Sequence, residues 1–126
     1  MNILLVDDEL RFLQTTQKIL IKFGHPTLIA TSGSEALGLL QKGIIDIVVL
    51  DVKMPGMDGI TTLKEIKRQF PSVEVIMLTG HATIETATEG MQLGAFDYLI
   101  KPVDTPVLIK KAQSAYQKKT DNRAFN

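Results

Sequence analysis

The stretch Ile47-Val48-Val49-Leu50-Asp51 decides the fold. Four apolar residues in a row, ended by a carboxylate, predict a strand that is buried on both faces, as in a parallel sheet. Similar apolar runs precede other polar residues at 3–6, 75–78 and 98–100. Because parallel strands end along one edge of a sheet, the polar residues that follow these runs are expected to meet there.

Segments with helical periodicity separate the runs, and a further short strand is predicted over Thr27–Ala30. This alternation predicts βα units with helices on both faces of the sheet. Helix boundaries are marked by Gly24 after the first helix, by Ser32 and Glu35 as a capping box for the second, and by Thr105 as the N-cap of the fifth. The residues expected on buried helix faces are Leu13, Thr16, Leu20, Phe23, Ile60, Leu63, Ile66, Phe70, Ala112, Tyr116 and either Leu108 or Ile109.

The predicted fourth helix, between Gly80 and Gly94, has weak helix-forming character. Its sequence contains several β-branched residues and an interior Gly90. Each β-branched residue costs a few tenths of a kcal/mol in a helix, and glycine costs up to about 1 kcal/mol. Two interpretations remain open: tertiary contacts override the weak propensity, or a helix of low stability moves when the neighbouring site is occupied.

The polar residues at the predicted sheet edge suit phosphoryl transfer. They are Asp7, Asp8, Asp51, Thr79 and Lys101. Clustered carboxylates repel one another and are hard to keep ionised unless a cation lies among them. Carboxylate oxygens are the ligands that Mg²⁺ prefers. A magnesium site beside a nucleophilic or phosphate-accepting group is therefore predicted.

Composition narrows the classes of function. The chain has 126 residues, 44% of them hydrophobic, which fits one domain with one core. Lysine plus arginine equals aspartate plus glutamate at 14 each, so no net attraction to nucleic acid or anionic lipid is expected. The first apolar run stops at residue 6, far short of the roughly 20 residues that a membrane span needs. Together with the absence of cysteine, these features predict a cytoplasmic protein that binds neither DNA directly nor a membrane.

Four segments resemble the receiver domain of two-component response regulators. They are ILLVDDE at 3–9, VLDVKMPGMDG at 49–59, MLTG at 77–80 and GAFDYLIKP at 94–102, and the likeness runs from residue 2 to residue 117. Residues 78–87 further resemble receivers of nitrogen-regulation-type enhancer-binding activators. The resemblance implies a flavodoxin-like, doubly wound α/β fold with a five-stranded parallel sheet in the order 2-1-3-4-5 and five helices. It also implies a receiver domain over 1–117. Beyond Gln117 the apolar periodicity fades into charged and polar residues, which predicts a frayed and solvated tail or linker stub over 118–126.

The resemblance assigns the acidic residues to phosphorylation and metal binding. Asp51 is the implied phosphoacceptor, which attacks the phosphorus of a phosphohistidine and forms an acyl phosphate. The implied Mg²⁺ ligands are Asp7, Asp8, Asp51 and the backbone carbonyl of Lys53. The metal would neutralise charge on the incoming phosphoryl group and align it for transfer.

The resemblance assigns the remaining site residues to phosphoryl recognition and switching. The hydroxyl of Thr79 and the ammonium of Lys101 would each contact a phosphoryl oxygen. In receivers the peptide bond corresponding to Lys101–Pro102 is cis, which aims the lysine into the site. Tyr98 is the implied switch residue, whose ring turns inward when Thr79 engages the phosphoryl group.

These roles describe a regulatory domain rather than an enzyme, with only its own phosphotransfer and slow dephosphorylation to catalyse. The implied partners are a sensor histidine kinase or phosphotransfer protein, an output domain or target protein, and a second copy of the chain in a phosphorylation-dependent homodimer. The output surface would consist of the fourth helix, the fifth strand and the fifth helix.

Two positions depart from the family pattern. Receivers often have an amide or acid two residues after the nucleophile and two after the threonine, where this chain has Lys53 and His81. An ammonium cannot accept a hydrogen bond from the water that attacks the acyl phosphate. A longer-lived phosphorylated state is therefore expected.

Two other classes of protein fit less well. An aspartate-nucleophile phosphohydrolase, the alternative function, needs a second aspartate as general acid where this chain has Lys53. A flavodoxin-like nucleotide or flavin carrier needs a glycine-rich phosphate loop after the first strand, where this chain has three acidic residues at 7–9.

Overall fold

The protein has one parallel five-stranded sheet. The computed structural model describes residues 1–52, 58–80 and 84–125, and only the helical backbone of residues 122–125. Each strand pairs with its neighbours in the parallel sense, as the apolar pattern predicted, and in the order β2-β1-β3-β4-β5, as the resemblance implied. The strands are β1 (Ile3–Val6), β2 (Thr27–Ala30), β3 (Ile47–Leu50), β4 (Glu74–Thr79) and β5 (Asp97–Ile100).

Helices cover both faces of the sheet. They are α1 (Leu10–Lys22), α2 (Gly33–Leu40), α3 (Gly59–Gln69), α4 (Ile84–Gln92) and α5 (Thr105–Phe125). Alternate strand residues point to opposite faces, so one core lies under α2 and α3 and another lies under α1 and α5. In the three described ranges, no helix combines the length and the apolar character needed to cross a membrane.

Local signals in the sequence set most helix boundaries. The amide of Glu35 donates to Ser32 Oγ at 3.2 Å, as the predicted capping box requires. Gly24 follows α1 with a φ of 91°, a conformation that favours glycine. The predicted N-cap of α5 was wrong by one residue, because the carbonyl of Asp104 accepts the first helical hydrogen bond, from Leu108 at 3.2 Å.

Two residues expected in the core are exposed, namely Phe23 and Tyr116. Phe23 is the C-cap of α1, where the helical periodicity that predicted its burial has ended. On α5 the buried face passes through Leu108, Ala112 and Ala115, so Tyr116 lies at its margin.

The expectation that the chain becomes frayed and solvated after Gln117 was wrong, because α5 continues to Phe125. The apolar periodicity fades there, but an ion pair holds this part of the helix to the sheet. Lys119 is only 5% exposed, and its ammonium donates to Asp46 Oδ1 at 3.2 Å, just before β3. The domain limit at residue 117 therefore falls inside a continuous helix and stays a prediction.

The interior glycine of α4 has a packing role. A Cβ at Gly90 would collide with the Sδ and Cε atoms of Met77, a buried residue of β4. Glycine thus lets α4 approach the sheet closely at this point. Its presence is explained by tertiary packing and needs no selection for mobility.

We expect Gly59→Ala to destabilise the fold by about 1 to 3 kcal/mol, because a Cβ there would collide with the backbone of Asp51 and Val52. The matched control is Gly38→Ala, on the exposed side of α2, where a Cβ meets nothing within 4 Å. That substitution should stabilise the protein by up to about 1 kcal/mol. Urea unfolding measures both changes, and equal stability of the Gly59→Ala variant and the unsubstituted protein would contradict the close approach.

Candidate functional site

Three carboxylates meet at the carboxyl-terminal edge of the sheet. Asp7 follows β1, Asp51 follows the adjacent β3, and one oxygen from each of Asp7, Asp8 and Asp51 lies within 4.8 Å of the others. Asp7 is 2% exposed and Asp51 is 8% exposed, whereas Asp8 lies in solvent. The structure thus brings together the acidic residues that the sequence placed at one edge, in an arrangement that could hold a divalent cation.

The sheet fixes the backbone of the two buried aspartates. The amide of Asp51 donates to the carbonyl of Val6 at 2.9 Å, and the amide of Asp7 donates to the carbonyl of Ala30 at 3.1 Å. The ladder of hydrogen bonds therefore continues one residue beyond the strands. Asp7 Oδ1 also accepts from the amide of Glu9 at 2.9 Å, which joins this carboxylate to the start of α1.

Lys101, which follows β5, places its ammonium group at the carboxylate cluster. Its amide donates to the carbonyl of Thr79 at 2.9 Å, and its peptide bond to Pro102 is cis. Its ammonium forms an ion pair with Asp7 Oδ2 and lies 3.9 Å from Asp51 Oδ2. One positive charge is therefore shared between two carboxylates that have little contact with water.

Thr79 ends β4 and is buried at the same edge. Since β4 lies between β3 and β5, this hydroxyl-bearing residue stands between the strand that ends at Asp51 and the strand that leads to Lys101. A hydroxyl at this position can donate to an oxygen bound at the edge.

Tyr98 lies on β5 away from the carboxylates, and 39% of the residue is exposed. With Ile84, Ala87, Thr88, Met91 and Gln92 of α4 it lines a groove of about 430 Å³. Burial tends to raise the pKa of the neighbouring Asp97, but hydrogen bonds from Lys111 and the Tyr98 amide outweigh it and lower the pKa. The Asp97 to Lys111 contact, at 2.7 Å, ties β5 to α5.

The structure adds Phe12 to the site, a residue that the sequence analysis did not select. Its ring centroid lies 4.3 Å from the Lys101 ammonium. Phe12 lies on the first turn of α1, and no signal in the sequence connects it with Lys101, which is 89 residues away. Lys53 and His81, which the sequence analysis connected with metal binding and lifetime, lie outside the described residues.

Comparison with known proteins gives one consistent similarity. The family model of the response regulator receiver domain matches residues 3–113. The chain is 43% identical over 103 residues to the transcriptional regulatory protein ZraR of Escherichia coli K12, across 82% of this chain and 23% of ZraR. It is 36% identical over 122 residues to the DNA-binding transcriptional regulator NtrC of Klebsiella pneumoniae, across 94% of this chain and 26% of NtrC.

Solved structures give the same picture. The receiver domain of NtrX from Brucella abortus superposes with a TM-score of 0.85 at 37% identity, across 91% of this chain and 98% of that one. A CheY-like receiver domain protein from Methanospirillum hungatei superposes with a TM-score of 0.92 at 29% identity, across 96% and 97% of the two chains. The chain spans about a quarter of the length of the curated relatives that it matches.

We expect two substitutions at the carboxylate cluster to change divalent-cation affinity in opposite directions. Lys101→Met removes a positive charge that competes for Asp7, so Mg²⁺ affinity should rise by about fivefold. Asp8→Ala removes a carboxylate, so the affinity should fall by about tenfold or more. Titration calorimetry with MgCl₂ measures both values.

Lys22→Met is the matched control for loss of a lysine, because Lys22 is exposed at the far end of α1. Its Mg²⁺ affinity should equal that of the unsubstituted protein. If Lys101→Met also left the affinity unchanged, the ammonium and the cation would not share the Asp7 carboxylate.

Proposed function

The chain belongs to the family of response regulator receiver domains, and we propose that it is a phosphorylation-dependent switch with Asp51 as its phosphoacceptor. The observation that carries the proposal is the contact of Lys101 with both Asp7 and Asp51, at the edge where the three carboxylates converge. The proposed donor is a sensor histidine kinase or a phosphotransfer protein.

The proposed reaction is transfer of a phosphoryl group between side chains. A carboxylate oxygen of Asp51 attacks the phosphorus of a phosphohistidine, the P–N bond breaks, and the imidazole leaves with the electron pair. Asp51 follows the end of β3, at the carboxyl-terminal edge of the sheet, where ligands bind in parallel α/β folds. The product is an acyl phosphate on Asp51 and a free histidine on the donor.

Mg²⁺ is the proposed cofactor of this reaction. Asp7, Asp8 and Asp51 would hold it, and the backbone carbonyl of Lys53 is a further proposed ligand outside the described residues. When bound, the metal would neutralise charge on the phosphoryl group and favour in-line transfer. Lys101 and Thr79 would each contact a phosphoryl oxygen, and neither acts as a base.

The proposed output surface consists of α4, β5 and α5. Thr79 leads from the site toward α4, and Tyr98 lines the groove between α4 and β5. A change in the contacts of Thr79 on phosphorylation would therefore reach the surface through these two elements, with Tyr98 as the proposed switch residue. A target protein, an output domain or a second copy of the chain would then detect the altered surface.

The chain is proposed to act as a regulatory domain in the cytoplasm. Receiver domains are phosphoacceptor modules, and no observation favours the alternative phosphohydrolase, whose general acid would stand where this sequence has Lys53. ZraR and NtrC are transcriptional regulators by name, so control of transcription is the proposed output. Direct DNA contact by residues 1–117 is not proposed, because the net charge of the 126-residue chain is zero and three of its basic residues lie after residue 117.

We expect Asp51→Asn to abolish phosphorylation. Incubation with acetyl phosphate and MgCl₂ should add one phosphoryl group to the unsubstituted protein, and hydroxylamine should remove it because it attacks acyl phosphates. An amide in place of the carboxylate is a poor nucleophile, so intact-mass spectrometry should detect no addition. Asp121→Asn, at an exposed carboxylate of α5, is the control and should be labelled normally. Normal labelling of Asp51→Asn would contradict the assignment.

We expect phosphorylation to change hydrogen exchange mainly over residues 80–94 and β5. Beryllofluoride with MgCl₂ serves as the phosphoryl mimic, and α4 should respond because its sequence has weak helix propensity. Exchange measured by mass spectrometry, with Asp51→Asn as the unresponsive control, tests this result. Changes confined to α1 and α2 would contradict the proposed output surface.

A further inference from the structure

We propose that Phe12 is a positioning residue of the phosphotransfer reaction, because its ring holds the Lys101 ammonium beside the phosphoacceptor. This inference rests on the proposed function and extends it to a residue outside the carboxylate cluster. The Lys101 Nζ atom lies 4.3 Å from the centre of the Phe12 ring, within the range in which a cation is attracted to the face of an aromatic ring.

The ammonium of Lys101 has three described contacts of two kinds. Two are ionic, with Asp7 Oδ2 and with Asp51 Oδ2. The third is the ring of Phe12. The lysine side chain is 22% exposed, so water screens the ring contact less than it would on an open surface.

Packing fixes the ring independently of Lys101. Phe12 is partly buried on the first turn of α1 and packs against the core cluster that includes Leu5 and Leu78. The amide of Leu13 donates to the carbonyl of Glu9 at 3.1 Å, and the amide of Glu9 donates to Asp7 Oδ1 at 2.9 Å. The ring and the Asp7 carboxylate are therefore both attached to the start of α1.

The ring differs from the two carboxylates in what the proposed reaction does to it. Asp51 loses its carboxylate charge when it becomes an acyl phosphate, and Asp7 is shared with any divalent cation at the cluster. An uncharged ring undergoes neither change. The contact with Phe12 can therefore persist while both ionic contacts of Lys101 alter, and it restricts a long side chain that otherwise has many rotamers.

A plain packing role for Phe12 makes a different prediction. Leucine would also fill an apolar position against this core cluster, but it has no ring face to attract an ammonium. Tyrosine keeps the ring. If packing alone mattered, loss of the ring would affect the reaction equally with and without Lys101. If the ring acts through Lys101, its effect requires that lysine.

The kinetic test uses acetyl phosphate with MgCl₂, a small donor that removes any contribution of kinase docking to α1. Asp51 attacks the phosphorus, the bond from phosphorus to the acetate oxygen breaks, and acetate leaves with the electron pair. We expect Phe12→Leu to lower the rate constant by about 3- to 10-fold, the range of a partly buried cation–π contact. Phe12→Tyr should restore most of the lost rate.

The same substitution in a Lys101→Met background separates positioning from packing. There, Phe12→Leu should bring no further slowing beyond about twofold, since the two residues act as one unit. Urea unfolding of each variant identifies any loss that comes from the fold. Equal slowing by Phe12→Leu with and without Lys101, or no slowing with Lys101 present, would overturn the inference.

An NMR measurement tests the contact without catalysis. The Cε protons of Lys101 should be shifted upfield by the Phe12 ring, lose that shift in Phe12→Leu and keep it in Phe12→Tyr. The shift should persist with MgCl₂ and beryllofluoride, and its loss on their addition would overturn the claim that the contact lasts through the reaction. If the unsubstituted protein accepts no phosphoryl group at all, the proposed function fails instead, and the shift alone still reports whether the contact exists.

Discussion

The parallel alignment of β1, β3, β4 and β5 is the constraint on which the site depends. Each of these strands runs in the same direction, so each delivers the residue that follows it to the same edge of the sheet. Residues far apart in sequence become neighbours there without any long loop to support them. The amide of Asp51 and the amide of Asp7 both extend the sheet's hydrogen bonding, which makes their side chains as well placed as strand residues.

Burial gives this edge its chemistry. Two buried carboxylates that both carry a negative charge repel each other. Lys101 places one positive charge between them and offsets this repulsion. A divalent cation or a phosphoryl group bound at this edge, as we propose, would compete for these ionic contacts. The ring of Phe12 gives the ammonium a neutral neighbour during such competition.

The opposite edge of the sheet anchors the long α5 by charge. Lys119 contacts Asp46, and Lys118 lies 3.7 Å from the buried Glu74. Lys67 of α3 approaches the same glutamate at 3.9 Å, and burial lowers the pKa of this lysine. These pairs tie α3 and α5 to the starts of β3 and β4. These ion pairs therefore hold α5, part of the proposed output surface, to the sheet at the edge far from the site.

Much of the fold followed from the sequence alone. The apolar runs predicted both ends of β1 and of β3 correctly, and Ser32 marked the start of α2. These signals depend only on burial and on hydrogen bonds between residues that are close in the sequence. The convergence of Asp7, Asp8 and Asp51 could also be predicted, since it follows from the parallel order of the strands.

Only the tertiary structure decided the contacts that cross between elements. The ring of Phe12 beside Lys101, the collision that requires glycine at position 90, and the ordered helix around Lys119 each depend on a partner from a distant part of the chain. Local propensity and periodicity describe a segment's own preferences. They do not determine which side chain of another element contacts that segment, because such contacts form only when the chain folds.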